Sequence, residues 1–227
     1  MSTGRTFAIG DIHGCDVALE RLLDAIVPTR DDRIILLGDI CDRGPNTNRV
    51  FEMLIELSHR CQLLSILGNH DEMMLAVFGR LPKGNLNFWW SVGGATTIDS
   101  YGGDPQAVPD AHLDFLEAAA PYIESDQDIF VHAGINNSRP LSEQSFQTLR
   151  WDKLSGSEPP HPSGRRVICG HTAQRSGRPL QWDGWLCIDT RVYDTGGWLT
   201  ALDVNADIIH QANQNGDTRG PFPLATI

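Results

Sequence analysis

Residues 34–44 read Ile34-Ile35-Leu36-Leu37-Gly38-Asp39-Ile40-Cys41-Asp42-Arg43-Gly44. Four apolar residues end on a glycine and run directly into two acids and an arginine. A short continuous apolar run closed by glycine reads as a strand buried on both faces. The same arrangement recurs on either side. Upstream, the strand Thr6 to Ile9 ends at Gly10 and is followed by Asp11-Ile12-His13-Gly14. Downstream, the strand Leu63 to Leu67 ends at Gly68 and is followed by Asn69-His70-Asp71. Between the strands, Leu19, Leu22, Leu23 and Ile26 fall on one helical face, and Val50, Met53, Leu54 and Leu57 form a second stripe. This β-α-β-α-β order calls for parallel strands joined by crossover helices.

Farther along, the pattern predicts a helix from His70 to near Gly79, a short helix at Asn87 to Ser91, a helix between Ala111 and Ala120, and a strand at Ile129 to Val131. Ser155 to Arg166 is rich in Ser, Gly and Pro and reads as a surface loop. Short strands follow at Val167 to Cys169, Trp185 to Ile188 and Leu199 to Val204, close enough in sequence to predict antiparallel pairing. The tail from Gln211 onward is mostly polar, shows no clear periodicity and gives little information. The expectation is an α/β chain of two packed mixed sheets flanked by helices, a single domain over residues 1–227.

Composition narrows the function. With 41% hydrophobic and 21% charged residues among 227, the chain is too apolar to be disordered. A formal net charge of −11 argues against broad attraction to nucleic acid. No apolar run approaches the roughly 18 residues of a membrane span, and the N-terminus lacks the build of a signal peptide. Cys15, Cys41, Cys61, Cys169 and Cys187 are scattered, odd in number and without a C-x-x-C pair. Reduced thiols in a cytoplasmic protein are expected.

The chemistry concentrates at strand ends, where ligand sites of such sheets lie. Asp11 and His13 alternate around Ile12 and so point the same way in an extended segment. Asp39 is placed to bridge two cations, Asp42 to orient a histidine, and Arg43 to grip phosphate oxygens with its planar guanidinium. Asn69 offers a neutral amide oxygen to a metal or a phosphate, and His70 is better placed as a general acid. Val131-His132-Ala133-Gly134 and Cys169-Gly170-His171-Thr172 each end an apolar strand on a histidine. Together, Asp11, His13 and Asp39 form one metal set, and Asp39, Asn69, His132 and His171 the other. His59, His112, His161 and His210 lack such flanks and read as surface residues.

These motifs, in this order, closely resemble the phosphoprotein phosphatase branch of the metallophosphoesterases. The likeness runs from Gly10 to about Leu202 and includes Trp89-Trp90 before Gly93-Gly94, Ser100-Tyr101-Gly102, and Ile188-Asp189-Thr190 before Gly196-Gly197. It implies a four-layer α/β-β/α sandwich (the calcineurin-like fold). It also implies two divalent ions on the six residues above, manganese first, with iron, zinc, magnesium or nickel compatible. His70 and Asp42 act as a dyad in this picture, and Arg43 holds phosphate. Three departures stand out. Asp71 replaces the usual glutamate, an exchange expected to be tolerated. Lys153, two residues after Trp151, stands where an arginine usually binds phosphate, leaving Lys153 or Arg150 to fill that role. Cys41 replaces an apolar residue and reads as packing.

The reaction implied is direct hydrolysis by activated water, without a phosphoenzyme intermediate. The first substrate expected is phosphoserine or phosphothreonine in a phosphoprotein or phosphopeptide. The alternative enzyme is a dinucleoside polyphosphate hydrolase of the diadenosine tetraphosphatase type. An inactive binding scaffold would have shed ligands, and this chain has shed none.

Overall fold

In a computed structural model, which describes residues 4–226, the strands assemble into two sheets. The first contains β1 (Thr6–Ile9), β2 (Arg33–Leu36), β3 (Gln62–Ser65), β9 (Leu199–Asp203), β10 (Ile208–Ala212) and β11 (Thr218–Pro223) in the order β11-β10-β9-β1-β2-β3. β1, β2 and β3 are parallel, with Phe7 opposite Ile34 and Ile34 opposite Leu63. The crossovers are α1 (Asp16–Ile26) and α2 (Thr47–Ser58). The second sheet contains β4 (Ile123–Glu124), β5 (Asp128–Val131), β6 (Arg166–Cys169), β7 (Leu180–Trp182) and β8 (Trp185–Cys187) in the order β4-β5-β6-β8-β7.

Side chains alternate along each strand, and the alternation separates the layers. Ala8, Ile35, Phe130, Ile168, Leu186 and Leu202 meet in one apolar cluster between the sheets. Their neighbours Phe7, Ile9, Ile34 and Leu36 face outward against Leu19, Leu22, Val50 and Leu54 of the two crossover helices. On the other side, Ile129, Val131, Val167 and Trp185 pack under Leu141 and Leu149. Strands covered on both faces need no polar alternation, so the runs at Ile34 and Ile129 look continuously apolar. The calcineurin-like architecture of two mixed sheets flanked by helices is therefore the one expected.

Three expectations need correction. β6 and β8 are parallel, not antiparallel, with Ile168 opposite Leu186. The hairpin partner β7 turns the chain back before β8 begins. Leu199–Asp203 is antiparallel as expected, but it pairs with β1 and β10 in the first sheet. The tail is not featureless: it supplies β10 and β11, and buried Gln211 donates from Nε2 to Thr200 Oγ1 at 2.7 Å. His112 is buried, stacked on Phe51 and bonded through Nδ1 to the Tyr101 hydroxyl at 2.7 Å. His161 and His210 are half-buried, and only His59 is exposed as read.

Candidate metal centre

The loops after β1, β2, β3, β5, β6 and β8 all emerge at one edge of the two sheets. Six side chains there sit on left-handed backbone: His13 (φ 47°), Asp39 (50°), Asp42 (73°), Arg43 (69°), His171 (60°) and Arg191 (60°). Each such residue costs about 1–3 kcal/mol, and strain of this kind gathers where geometry serves function. Glycines make the close approaches possible. A Cβ on Gly68 would collide with the Asp39 carboxylate, and one on Gly170 with that of Asp11.

Three imidazoles are each anchored through one nitrogen. His13 Nδ1–H donates to the Cys41 carbonyl at 2.9 Å, His132 Nδ1–H to the Leu37 carbonyl at 2.8 Å, and His171 Nε2–H to the Trp151 carbonyl at 3.0 Å. In the neutral ring the other nitrogen then carries only a lone pair. Burial pushes His13 well below the usual histidine range, lowers His132, and takes His171 down to about 3. Burial alone would raise the Asp39 carboxyl, but the surrounding His132, His70, His13 and His171 hold it below its ordinary value. The ring nitrogens of His13 and His132 that are not tied to a backbone carbonyl face the Asp39 carboxylate at 3.5 and 3.4 Å.

The lone pairs converge. Ligand atoms of Asp39, His132 and His171 lie within 4.8 Å of one another, as do those of His13, Asp39 and His70. His132 Nε2 is 3.1 Å from Asn69 Oδ1 and 3.4 Å from Asp39 Oδ1. Acceptor facing acceptor is the arrangement a cation relieves, and a second partner that fixes each ring is the usual dress of a metal-ligating histidine. A mixed nitrogen and oxygen set suits a divalent transition metal. Asp39, His132 and His171 therefore fit a divalent ion, and in the other group His70 stands with His13 and Asp39 where Asp11 was expected. Asp11 is turned aside, with both oxygens accepting the His171 backbone N–H at 3.1 Å. Burial, then the charges of Asp189 and Asp39, raise its carboxyl well above the usual range.

His70 is tied on both sides. Its Nδ1–H donates to Asp42 Oδ2 at 2.7 Å, and its Nε2 accepts from Arg43 Nη2 at 2.7 Å. Arg43 Nη1 reaches His13 Nε2, also at 2.7 Å. Asp71 braces the loops from below: it accepts the Gly68 N–H at 3.1 Å and the Ile40 N–H at 2.9 Å. Burial and the Asp39 charge push its carboxyl up to about 7. The Cys41 thiol is buried, as expected of a packing residue.

Lys153 and Arg150 separate cleanly. Lys153 donates to the His171 carbonyl at 2.6 Å and lines a 230 Å³ cavity with Asp39, Arg43, His70 and His171. Arg150 does not reach it. Its guanidinium is bound to Glu72 at 3.1 Å and lies 4.4 Å above the Phe146 ring. Of the two cations read as phosphate-binding after β5, only Lys153 faces the site.

Four residues were given no role in the sequence. Trp89, fully buried, donates Nε1–H to both Asp42 oxygens at 2.9 and 3.0 Å, and the Thr97 hydroxyl adds a bond at 2.7 Å. Tyr193 packs edge-on against His13 and lies 4.6 Å beneath the Arg43 guanidinium. Asp189 is buried with Oδ1 on the Arg191 N–H and no partner for Oδ2, and burial pushes it up to about 6. Its signal was available: it follows the apolar run Trp185–Ile188 just as Asp11 and Asp39 follow theirs.

The family model for calcineurin-like phosphoesterases matches residues 4–193. The chain belongs to that family. A symmetrical bis(5'-nucleosyl)-tetraphosphatase from Janthinobacterium sp. (strain Marseille) is 32% identical over 135 residues, covering 57% of this chain and 43% of its own. The chain spans about half the length of the first curated relatives it matches. Among solved structures, a candidate diadenosine tetraphosphatase superposes with a TM-score of 0.70 at 23% identity, covering 93% of this chain and 94% of the other. A protein serine/threonine phosphatase from Saccharomyces cerevisiae gives 0.67 at 14% identity, covering 93% and 80%. Likeness at these identities speaks for the fold. No helix among the described residues is long and apolar enough to cross a membrane.

Proposed function

We propose that this chain, acting as one domain, hydrolyses a phosphoanhydride of a dinucleoside polyphosphate. The observation that carries the reading is the agreement of the curated relatives, which bear the name bis(5'-nucleosyl)-tetraphosphatase. This reverses the order of substrates expected from the sequence, where a phosphoprotein came first. Asp11, His13 and Asp39 would hold one divalent ion, and Asp39, Asn69, His132 and His171 the other. Bound there, the ions supply Lewis-acid charge and a water made acidic near neutral pH.

The protein's own groups do the rest. Arg43 and Lys153 flank the cavity and hold the oxygens of the phosphoryl group. Lys153 acts as a point charge where a guanidinium would bind in two places. Their charge is fixed before reaction, so it favours the transition state without reorganising. Acting as an imidazolium, His70 gives its Nε2 proton to the leaving oxygen and is left as the neutral Nδ1–H ring, which Asp42 orients. The intact donor set speaks against an inactive scaffold.

The test is a comparison of diadenosine tetraphosphate with a phosphothreonine peptide, each in manganese and in chelator. The reading expects metal-dependent turnover of the dinucleotide at the higher kcat/KM. Turnover of the peptide with the dinucleotide left intact would restore the phosphoprotein reading.

A further inference from the structure

A second cavity adjoins the one at the metal centre. It measures 300 Å³ and is lined by Met73, Phe88, Trp151, Lys83, Asn85 and Glu72 among others. Met73, Phe88 and Trp151 line both cavities, so the two meet at a neck made of two aromatic rings and a thioether. For a molecule with its phosphate between Arg43 and Lys153, this neck offers an apolar continuation.

The walls are built for a flat aromatic guest. The Trp151 indole is held by Nε1–H donation to Glu72 Oε2 at 2.8 Å, while Glu72 Oε1 takes Arg150. Glu72 is thereby neutralised and does not repel an anionic substrate. Phe88 is 47% exposed, although it sits beside a polar reaction centre. Its backbone N–H is capped by Asn85 Oδ1 at 3.0 Å, which holds the ring on the short helix Leu86–Trp89. Lys83, on left-handed backbone at φ 67°, lies on the far wall and makes no ion pair among the described residues. Two rings, a flexible thioether and an unpaired ammonium form a platform on which a base can stack, with polar groups left for its edge or its ribose.

We propose that this second cavity is the nucleoside subsite, where one base of the dinucleoside polyphosphate stacks on Phe88 and Trp151. The proposal rests on the nucleotide reading above and names how that substrate is told from a bare phosphate chain. Phe88 is the residue that decides it.

The experiment compares diadenosine tetraphosphate with inorganic tetraphosphate, which carries the same anhydrides and no base, in wild type, Phe88→Ala and Phe88→Trp. Losing one stacked ring raises KM for the dinucleotide about tenfold more than for inorganic tetraphosphate, and Phe88→Trp restores the difference. Equal changes for the two substrates, or none, overturn the subsite while leaving the hydrolase intact. A wild-type enzyme that cleaves p-nitrophenyl phosphate or a phosphopeptide but not diadenosine tetraphosphate overturns the nucleotide reading and the subsite with it.

Discussion

The two walls of the site are built differently. The wall from the first sheet braces itself. Asp42 is gripped by Trp89, Thr97 and His70, and Asp71 staples the loop after β2 to the helix after β3. The wall from the second sheet leans on the first. The His132 ring is fixed by the Leu37 carbonyl, and the His171 backbone by Asp11. Its Asp189 keeps one buried oxygen without a hydrogen-bond partner among the described residues. On the proposed function, proton handling falls to the self-braced wall, where Asp42 fixes the His70 ring.

The largest effect should come from the braced wall. Asp42→Asn keeps the shape of the side chain but removes the charge that fixes His70. Turnover should fall by about 10²–10⁴-fold, toward the lower end for an anhydride with its weakly basic leaving group. Wild-type turnover in a variant with an unchanged melting curve would show that the dyad moves no proton and that the contrast between the walls has no chemical meaning.

A smaller effect should appear on the leaning wall. Asp189→Asn removes a buried carboxylate beside Asp11, and its lone oxygen is best explained by a cation or its water. Manganese affinity, read by competition with a fluorescent chelator, should weaken about 10–100-fold. An unchanged affinity would leave Asp189 as a mere loop anchor for Arg191.

The smallest effect lies behind the braced wall, at His112. Burial lowers this imidazole below its ordinary value. The folded state therefore prefers the neutral ring, and the unfolded chain binds more protons once pH falls below about 6.5. Stability is lost from there down to the folded value. His112→Phe should flatten that acid limb in a series of melts from pH 7 to 5, while costing about 1 kcal/mol at pH 7 for the lost Tyr101 bond. An acid limb as steep as wild type would assign it to the metal-centre histidines.

The same contrast explains what could be read in advance. The first three strands, their helices and the groups of the braced wall were legible because each apolar run ends on glycine and then on a ligand-type residue. Asp39, Asn69 and His171 follow a glycine in this way, and His132 follows its apolar strand directly. The props could not. Trp89 and Thr97 reach Asp42 from some fifty residues away, and nothing in a tryptophan's neighbours says that its N–H will meet a carboxylate. The direction of β8 was hidden by β7, whose sequence Leu180-Gln181-Trp182 is too short and too polar to announce a strand. His112 shares a helix face with Leu116, one turn away, and that spacing was the available sign of burial. Arg150 and Lys153 differ by less than one helical turn, and Arg150 is drawn away from the cavity by Glu72, 78 residues upstream.

β1 lies at the heart of its sheet, yet one of its two neighbours is β9, whose residues are made long after it. On a ribosome adding about 5–20 residues per second, Asp11 waits roughly 10–30 s for the His171 amide that will hold it. During that interval β1, β2 and β3 can pair, but the face carrying Ala8, Ile35 and Leu37 has no opposite sheet to cover it. An oily, half-finished layer of this kind invites stray partners, so the nascent chain should be a customer for chaperones long before it can bind its ions.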